Sequence, residues 1–178
     1  MTLDGVIDAD TMEQWFNPFH SDARGAYIKD CIDAADTLVF GRTTYEMLAP
    51  YWSVQQNNEM GVAARLNSLP KYVVSATLKQ ADWTNSTIIK ANVTDAIAEL
   101  KQQPGQDLLI MGSATLVHSL MDADLIDEYR FLVQPTIVGT GKRFFQDGMR
   151  SPSLNLVRSE PFDLGVILLC YAPQRPES

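Results

Sequence analysis

The chain has 178 residues, 46% of them apolar and 20% charged, with 14 Lys and Arg against 22 Asp and Glu for a net charge of −8. At roughly 100–200 residues per domain this predicts a single domain over 1–172 with a C-terminal tail at 173–178. The acidic balance argues against nucleic acid and anionic membrane surfaces, and no apolar run approaches the roughly 20 residues of a membrane helix.

In chain order, an acidic N-terminal segment carries Asp4, Asp8, Asp10, Glu13 and Asp22 beside Trp15 and Phe16. A helix is predicted from Asp22 to Ala35, where Tyr27, Cys31, Ala34 and Ile28, Ile32, Ala35 each follow i, i+4, i+7. Thr37–Phe40, Tyr72–Val74, Thr87–Ile89 and Leu108–Met111 are apolar, non-alternating runs, the pattern of strands buried on both faces. Thr94 is the expected N-cap of a helix with the stripe Val93, Ile97, Leu100, stopped at Pro104-Gly105. Another helix is predicted from about Ala114 to Met121. After Asp127 the pattern turns to strands without helices between them: Tyr129–Val138, interrupted by Pro135, then Leu154–Arg158 and Gly165–Tyr171. The order implies an α/β fold whose mostly parallel sheet has an antiparallel C-terminal edge.

Two strand-to-helix elbows stand out. In Leu38-Val39-Phe40-Gly41-Arg42-Thr43-Thr44 a buried strand meets Gly41 and a helix should begin within two residues. Gly41 admits close backbone approach, the helix N-terminus offers unpaired N–H groups, and Arg42, Thr43 and Thr44 suit a phosphate. In Ile110-Met111-Gly112-Ser113-Ala114-Thr115-Leu116 a second strand ends in small residues at a helix start, the usual ligand position of open α/β sheets. The alternative for both is an ordinary turn into a helix. Neither is Gly-x-Gly-x-x-Gly, and Gly139-Thr140-Gly141-Lys142-Arg143 fails as a P-loop because Arg143 replaces the magnesium-binding Ser or Thr.

Other chemistry is thin. A carboxylate of the N-terminal segment beside an aromatic would suit a proton donor with a raised pKa, although most must be solvated loop charges. His20 and His118 have no metal-ligand spacing and no nucleophile partner, so no metal site and no catalytic triad is expected. Cys31 and Cys170 have no bridging pattern and read as buried reduced thiols of a cytoplasmic protein.

Six segments in order resemble the dihydrofolate reductase-like superfamily, above all the reductase domain of the bifunctional riboflavin-biosynthesis deaminase-reductase. They are Thr2–Ile7, Ala35–Glu46, Tyr72–Ser75, Met111–Leu116, Leu125–Glu128 and Pro135–Phe145; 50–68 and 81–92 match poorly. The resemblance implies a three-layer α/β/α fold and an NADPH-dependent reductase. Its substrate would be a small heterocyclic or carbonyl compound, as for the 5-amino-6-(5-phosphoribosylamino)uracil reductase domain. Gly41, Arg42, Thr43 and Thr44 would hold phosphates, Arg42 near the 2′-phosphate, with Ser75 at the adenosine phosphate. Gly112, Ser113, Ala114, Thr115 and Leu116 would line the pyrophosphate and nicotinamide. Asp4, Gly5 and Ile7 would border the substrate, with Trp15 and Asp22 as further pocket residues. No side chain is expected to act as a nucleophile, because hydride transfer asks for orientation and exclusion of water.

Four departures qualify this. Gly25 falls near the position of the acid that binds the pteridine in classical dihydrofolate reductases, and the family's Gly-Gly pair, often cis, is Gly112-Ser113 here. No deaminase signature is found in these 178 residues, so a reductase domain alone is expected. Met1 falls inside the expected first strand, so the usual apolar run before Leu3-Asp4-Gly5 is expected to be missing. A divergent dihydrofolate reductase and a non-catalytic nucleotide-binding protein are the alternative functions. A homodimer is expected, because Phe131, Leu132, Val133, Val166, Ile167, Leu168 and Leu169 exceed what one half-exposed edge needs, and the resembled relatives commonly pair there.

Overall fold

The run Thr37–Phe40 becomes β1 (Ala35–Gly41) in a computed structural model that describes residues 1–55 and 57–175. Leu38, Val39 and Phe40 are wholly buried, which is why no polar alternation marks the segment. β1 pairs in parallel with β2 (Lys71–Val74), and β2 with β3 (Ser86–Ile89). Its other edge pairs in parallel with β4 (Asp107–Ile110), giving the order β3-β2-β1-β4. The helices are α1 (Met12–Trp15), α2 (Asp22–Ala34), α3 (Arg42–Trp52), α4 (Ala63–Ser68), α5 (Val93–Gln102) and α6 (Ala114–Asp122).

The chain divides into two compact units, Tyr27–Leu125 and Met1–Ala26 with Ile126–Ser178; α2 begins in the latter and ends in the former. In the Tyr27–Leu125 unit the core gathers Ile32, Leu38, Phe40, Tyr45, Leu66 and Trp83. The Phe40, Tyr45 and Trp83 rings lie 5.9–6.2 Å apart, within the range of favourable aromatic pairs.

The other unit holds β5 (Tyr129–Val133), β6 (Leu154–Pro161) and β7 (Ile167–Pro173) in an antiparallel sheet of order β5-β7-β6. These strands form a separate sheet rather than an edge of the parallel one. Beside β5 the N-terminal segment makes only an isolated bridge, Thr2 to Gln134, before reversing at Gly5 (φ +77°). That reversal uses the left-handed region that glycine enters without penalty.

Other boundaries also differ from expectation. α5 is preceded by Asn92, in the left-handed region at φ 50°, so Thr94 lies inside the helix instead of capping it. β5 stops at Val133, two residues before Pro135, which has no N–H for a ladder. The expected tail is partly ordered: Pro173 ends β7, the Gln174 N–H donates to the Ser153 carbonyl (2.9 Å) and Arg175 pairs with Asp127 (2.7 Å). Residues 176–178 lie outside the described residues.

Candidate functional site

The two elbows meet. The Gly41 N–H donates to the Gly112 carbonyl (2.8 Å), and the Met111 N–H to the Val39 carbonyl (3.1 Å). A Cβ added to Gly41 would stand 2.5 Å from Ser113 Oγ and 2.9 Å from its backbone nitrogen, so only glycine permits this approach. A Cβ at Gly112 would lie 3.1 Å from Thr44 Oγ1, and the Gly112–Ser113 peptide is cis. The helices that start here, α3 after Gly41 and α6 after Ser113, receive no side-chain cap. Their first-turn N–H groups therefore lack intrahelical partners, and two positive dipole ends lie side by side. Thr43 and Thr115 are exposed and Thr44 is half-buried, while Leu116 is buried and offers only its backbone.

The strand registers place further residues beside this cradle. Gly41 is level with Val74, and Val74 with Ile89. Arg42, Ser75 and Lys90 are thus the next residues at three adjacent strand ends. At about 4.8 Å per strand, β1 and β3 stand roughly 10 Å apart. Arg42 pairs with Glu46 at 3.1 Å, an exposed i, i+4 contact that a stronger anion can displace. Ser75 is buried, and its hydroxyl oxygen accepts from the Thr77 and Leu78 N–H groups (3.2 and 2.9 Å) and lies 3.5 Å from Thr77 Oγ1. Lys90 is exposed and bonds to no described side chain. Its place immediately after the apolar run Thr87–Ile89 is the sequence signal that marks it.

In the other unit Asp4, Gly5 and Ile7 lie against the 136–144 loop. Asp4 accepts from the Thr2 hydroxyl (2.6 Å) and the Val138 and Gly139 N–H groups (3.3 and 2.9 Å), and pairs with Arg143 (3.2 Å). The Thr2 hydroxyl, then the loop amides, hold its carboxyl down at about 2. That is opposite to the raised pKa of a proton donor, so Asp4 does not carry that role. The Phe144 N–H donates to the Gly5 carbonyl and the Ile7 N–H to the Lys142 carbonyl, each at 2.8 Å. Trp15 is buried with its indole N–H on the Asp8 carbonyl (3.0 Å), so its ring is a core element. Asp22 stands exposed at the start of α2. The structure thus gathers the expected phosphate-binding residues in one unit and the expected pocket residues in the other.

Cys31 is half-buried, Cys170 buried, and neither forms a disulfide. Among the described residues no helix is long and apolar enough to cross a membrane, and no His, Cys, Asp and Glu cluster is placed to hold a metal ion.

Residues 1–168 match the model of the RibD C-terminal domain. The chain belongs to that family. Uncharacterized protein YyaP of Bacillus subtilis is 27% identical over 175 residues, covering 96% of this chain and 90% of that one. Among solved structures, a putative riboflavin biosynthesis protein from Shewanella sp. PV-4 superposes with a TM-score of 0.75 at 24% identity, over 98% of this chain and 96% of that one. A diaminohydroxyphosphoribosylaminopyrimidine deaminase/5-amino-6-(5-phosphoribosylamino)uracil reductase from Thermotoga maritima superposes with a TM-score of 0.66 at 15% identity. That match takes in 97% of this chain but 54% of the bifunctional one, so the chain spans about half its length. RibD C-terminal domains are reductase domains that use NADPH, and the α/β architecture is that of the dihydrofolate reductase-like fold.

Proposed function

We propose that this RibD C-terminal domain protein is an NADPH-dependent reductase that transfers hydride to a small heterocyclic or carbonyl substrate. The observation that carries this is the cradle: two uncapped helix N-termini made adjacent because Gly41 has no Cβ to meet Ser113. The N–H groups at the starts of α3 and α6, with the Thr43, Thr44 and Thr115 hydroxyls, suit the pyrophosphate oxygens. Arg42 and Lys90, from the ends of β1 and β3 on either side of β2, suit the phosphate on the adenosine ribose. When bound, NADPH supplies the hydride; the chain's own part is to bind, orient and exclude water. Asp4 is committed to the 138–143 loop, so it shapes that loop and stays ionised.

Calorimetric titration with NADPH tests this reading. Binding by the wild-type chain and a loss of tenfold or more in Gly41→Ala, measured below the variant's melting temperature so that both chains are folded, is expected. Absence of binding to the wild-type chain would overturn it. NADPH oxidation in the presence of ribosylamino-pyrimidines, then of dihydrofolate and simple carbonyl compounds, would identify the acceptor class.

A further inference from the structure

Lys71 opens β2, yet none of its surface reaches water. Its ammonium donates to the carbonyls of Leu69 (2.8 Å), Thr84 (3.0 Å) and Asn67 (3.3 Å) and stands 4.8 Å from the centre of the Trp83 ring. Three donors meet three acceptors, and the ring face adds a cation–π contact. Among the described residues no carboxylate takes part, and the charge is held by backbone and ring. The acceptors come from two separate places, the end of α4 and the segment before β3, and the ammonium ties them together.

Trp83 carries the restraint onward. Its indole N–H donates to Asn67 Oδ1 (2.6 Å), and its backbone N–H donates to the Tyr45 hydroxyl oxygen (2.9 Å). The Tyr45 hydroxyl reaches Ser86 Oγ at 3.3 Å, and its ring is buried against Phe40 and Trp83. Tyr45 directly follows Thr44 in the first turn of α3. Fixed atoms therefore run from the ammonium through Thr84 and Trp83 to the helix start that faces Ser113.

We propose that Lys71 is a positioning residue for the cradle: its caged ammonium fixes Trp83, and through the Tyr45 hydroxyl it holds the first turn of α3 where Gly41 meets Ser113. That this turn receives a dinucleotide rests on the NADPH reading; the restraint itself does not.

Hydrogen exchange read by mass spectrometry on the full chain separates the two. Lys71→Met keeps similar volume without the charge, and Tyr45→Phe removes the hydroxyl while leaving the ammonium cage. Each is expected to speed exchange in the α3 peptide about tenfold while the α6 peptide stays within about twofold. The double variant should go no further than either single one, as expected of two groups on one path. NADPH affinity should fall about five- to tenfold in both single variants. Equal acceleration of α3 and α6 in Lys71→Met, or unchanged α3 exchange in Tyr45→Phe, would overturn the proposal by reducing Lys71 to a general stabiliser. Should Lys71→Met fail to fold, Tyr45→Phe decides alone: acceleration confined to α3 supports the restraint, and none overturns it. A wild-type chain that ignores NADPH but shows the α3-confined pattern sinks the cofactor reading and leaves the restraint standing.

Discussion

β1 buries Leu38, Val39 and Phe40 completely, whereas β6 leaves Leu156 and Val157 each 57% exposed. Both strands carry runs of apolar residues, but their surroundings differ. In the Tyr27–Leu125 unit the strands interleave with α3, α4 and α5, and their apolar side chains enter one core. In the antiparallel sheet no α-helix separates β5, β6 and β7, only a short 3-10 turn at Asp163–Gly165 between β6 and β7, and β6 lies at the edge. Apolar character alone therefore predicts a strand; connectivity decides how well it is covered.

The largest expected effect tests that contrast directly. Phe40→Ala removes a wholly buried ring that packs on Tyr45 and Trp83, and should cost about 3–5 kcal/mol in urea unfolding. Val157→Ala, at an exposed bulge in the β6 ladder, should stay within about 0.5 kcal/mol. Similar losses from the two would erase the distinction between a covered and an open sheet.

A second prediction concerns the carboxyl ends of the parallel strands. Arg42→Ala should weaken NADPH by about ten- to a hundredfold, the equivalent of roughly 1.5–3 kcal/mol for a charge-assisted contact, and NADH much less. Lys90→Ala should act in the same sense but less strongly. Equal losses for both dinucleotides would show that neither cation reads the extra phosphate. In the same assays dihydrofolate should be turned over poorly, because Gly25 stands near the expected position of the pteridine-binding acid. Steady turnover at physiological dihydrofolate concentration would refute this.

Much of the parallel unit was legible because its signals are local. Apolar, β-branched runs marked β1, β2 and β3, although burial on both faces holds for β1 alone, since β2 is only partly buried and Thr87 of β3 is exposed; the small residues at Gly41 and Gly112 marked both elbows. What escaped depends on contacts distant in sequence. Lys71 looks like a solvated residue before Tyr72; only the carbonyls of Asn67, Leu69 and Thr84, brought together by the fold, make it a core residue. α4 is six residues long, and the residue before Ala63 is Val62, which has no capping group; Asn58, whose Oδ1 accepts from the Ala64 N–H (3.1 Å), lies five residues upstream of the helix start. Asp4 reads as one acid among several until the amides of Val138 and Gly139 reach it from the far end of the chain.

Lys71 also sets a pH dependence. Burial lowers its pKa from the ordinary 10.5 to about 8, so the unfolded chain binds more protons between those values. Stability attributable to this group therefore rises as pH increases from about 8 to 10.5 and is lost as pH falls back through 8. The difference in urea midpoint between wild type and Lys71→Met, followed across that range, should show this slope. A difference that stays flat, or that changes in the opposite sense, would contradict it.

The smallest expected change in the stability of one chain carries the largest change in assembly. We propose that the open sheet pairs with a second copy of the chain. Of the residues that motivated a dimer, Val166 and Leu168 are wholly buried, and Ile167 remains 43% exposed. Leu156 and Val157 of β6 and Leu164 before β7 are exposed as well. A bare apolar edge invites association unless something covers it, and a two-fold contact presents the same patch twice. Leu156→Ser and Val157→Ser each replace an exposed side chain, so at high dilution they should change unfolding by no more than about 0.5 kcal/mol. At micromolar concentration the wild-type chain should scatter light as twice the 19.8 kDa of one chain. The serine variants should shift toward a single-chain mass. A wild-type mass of one chain, unchanged on concentrating, would leave the β6 surface simply solvated and remove the dimer.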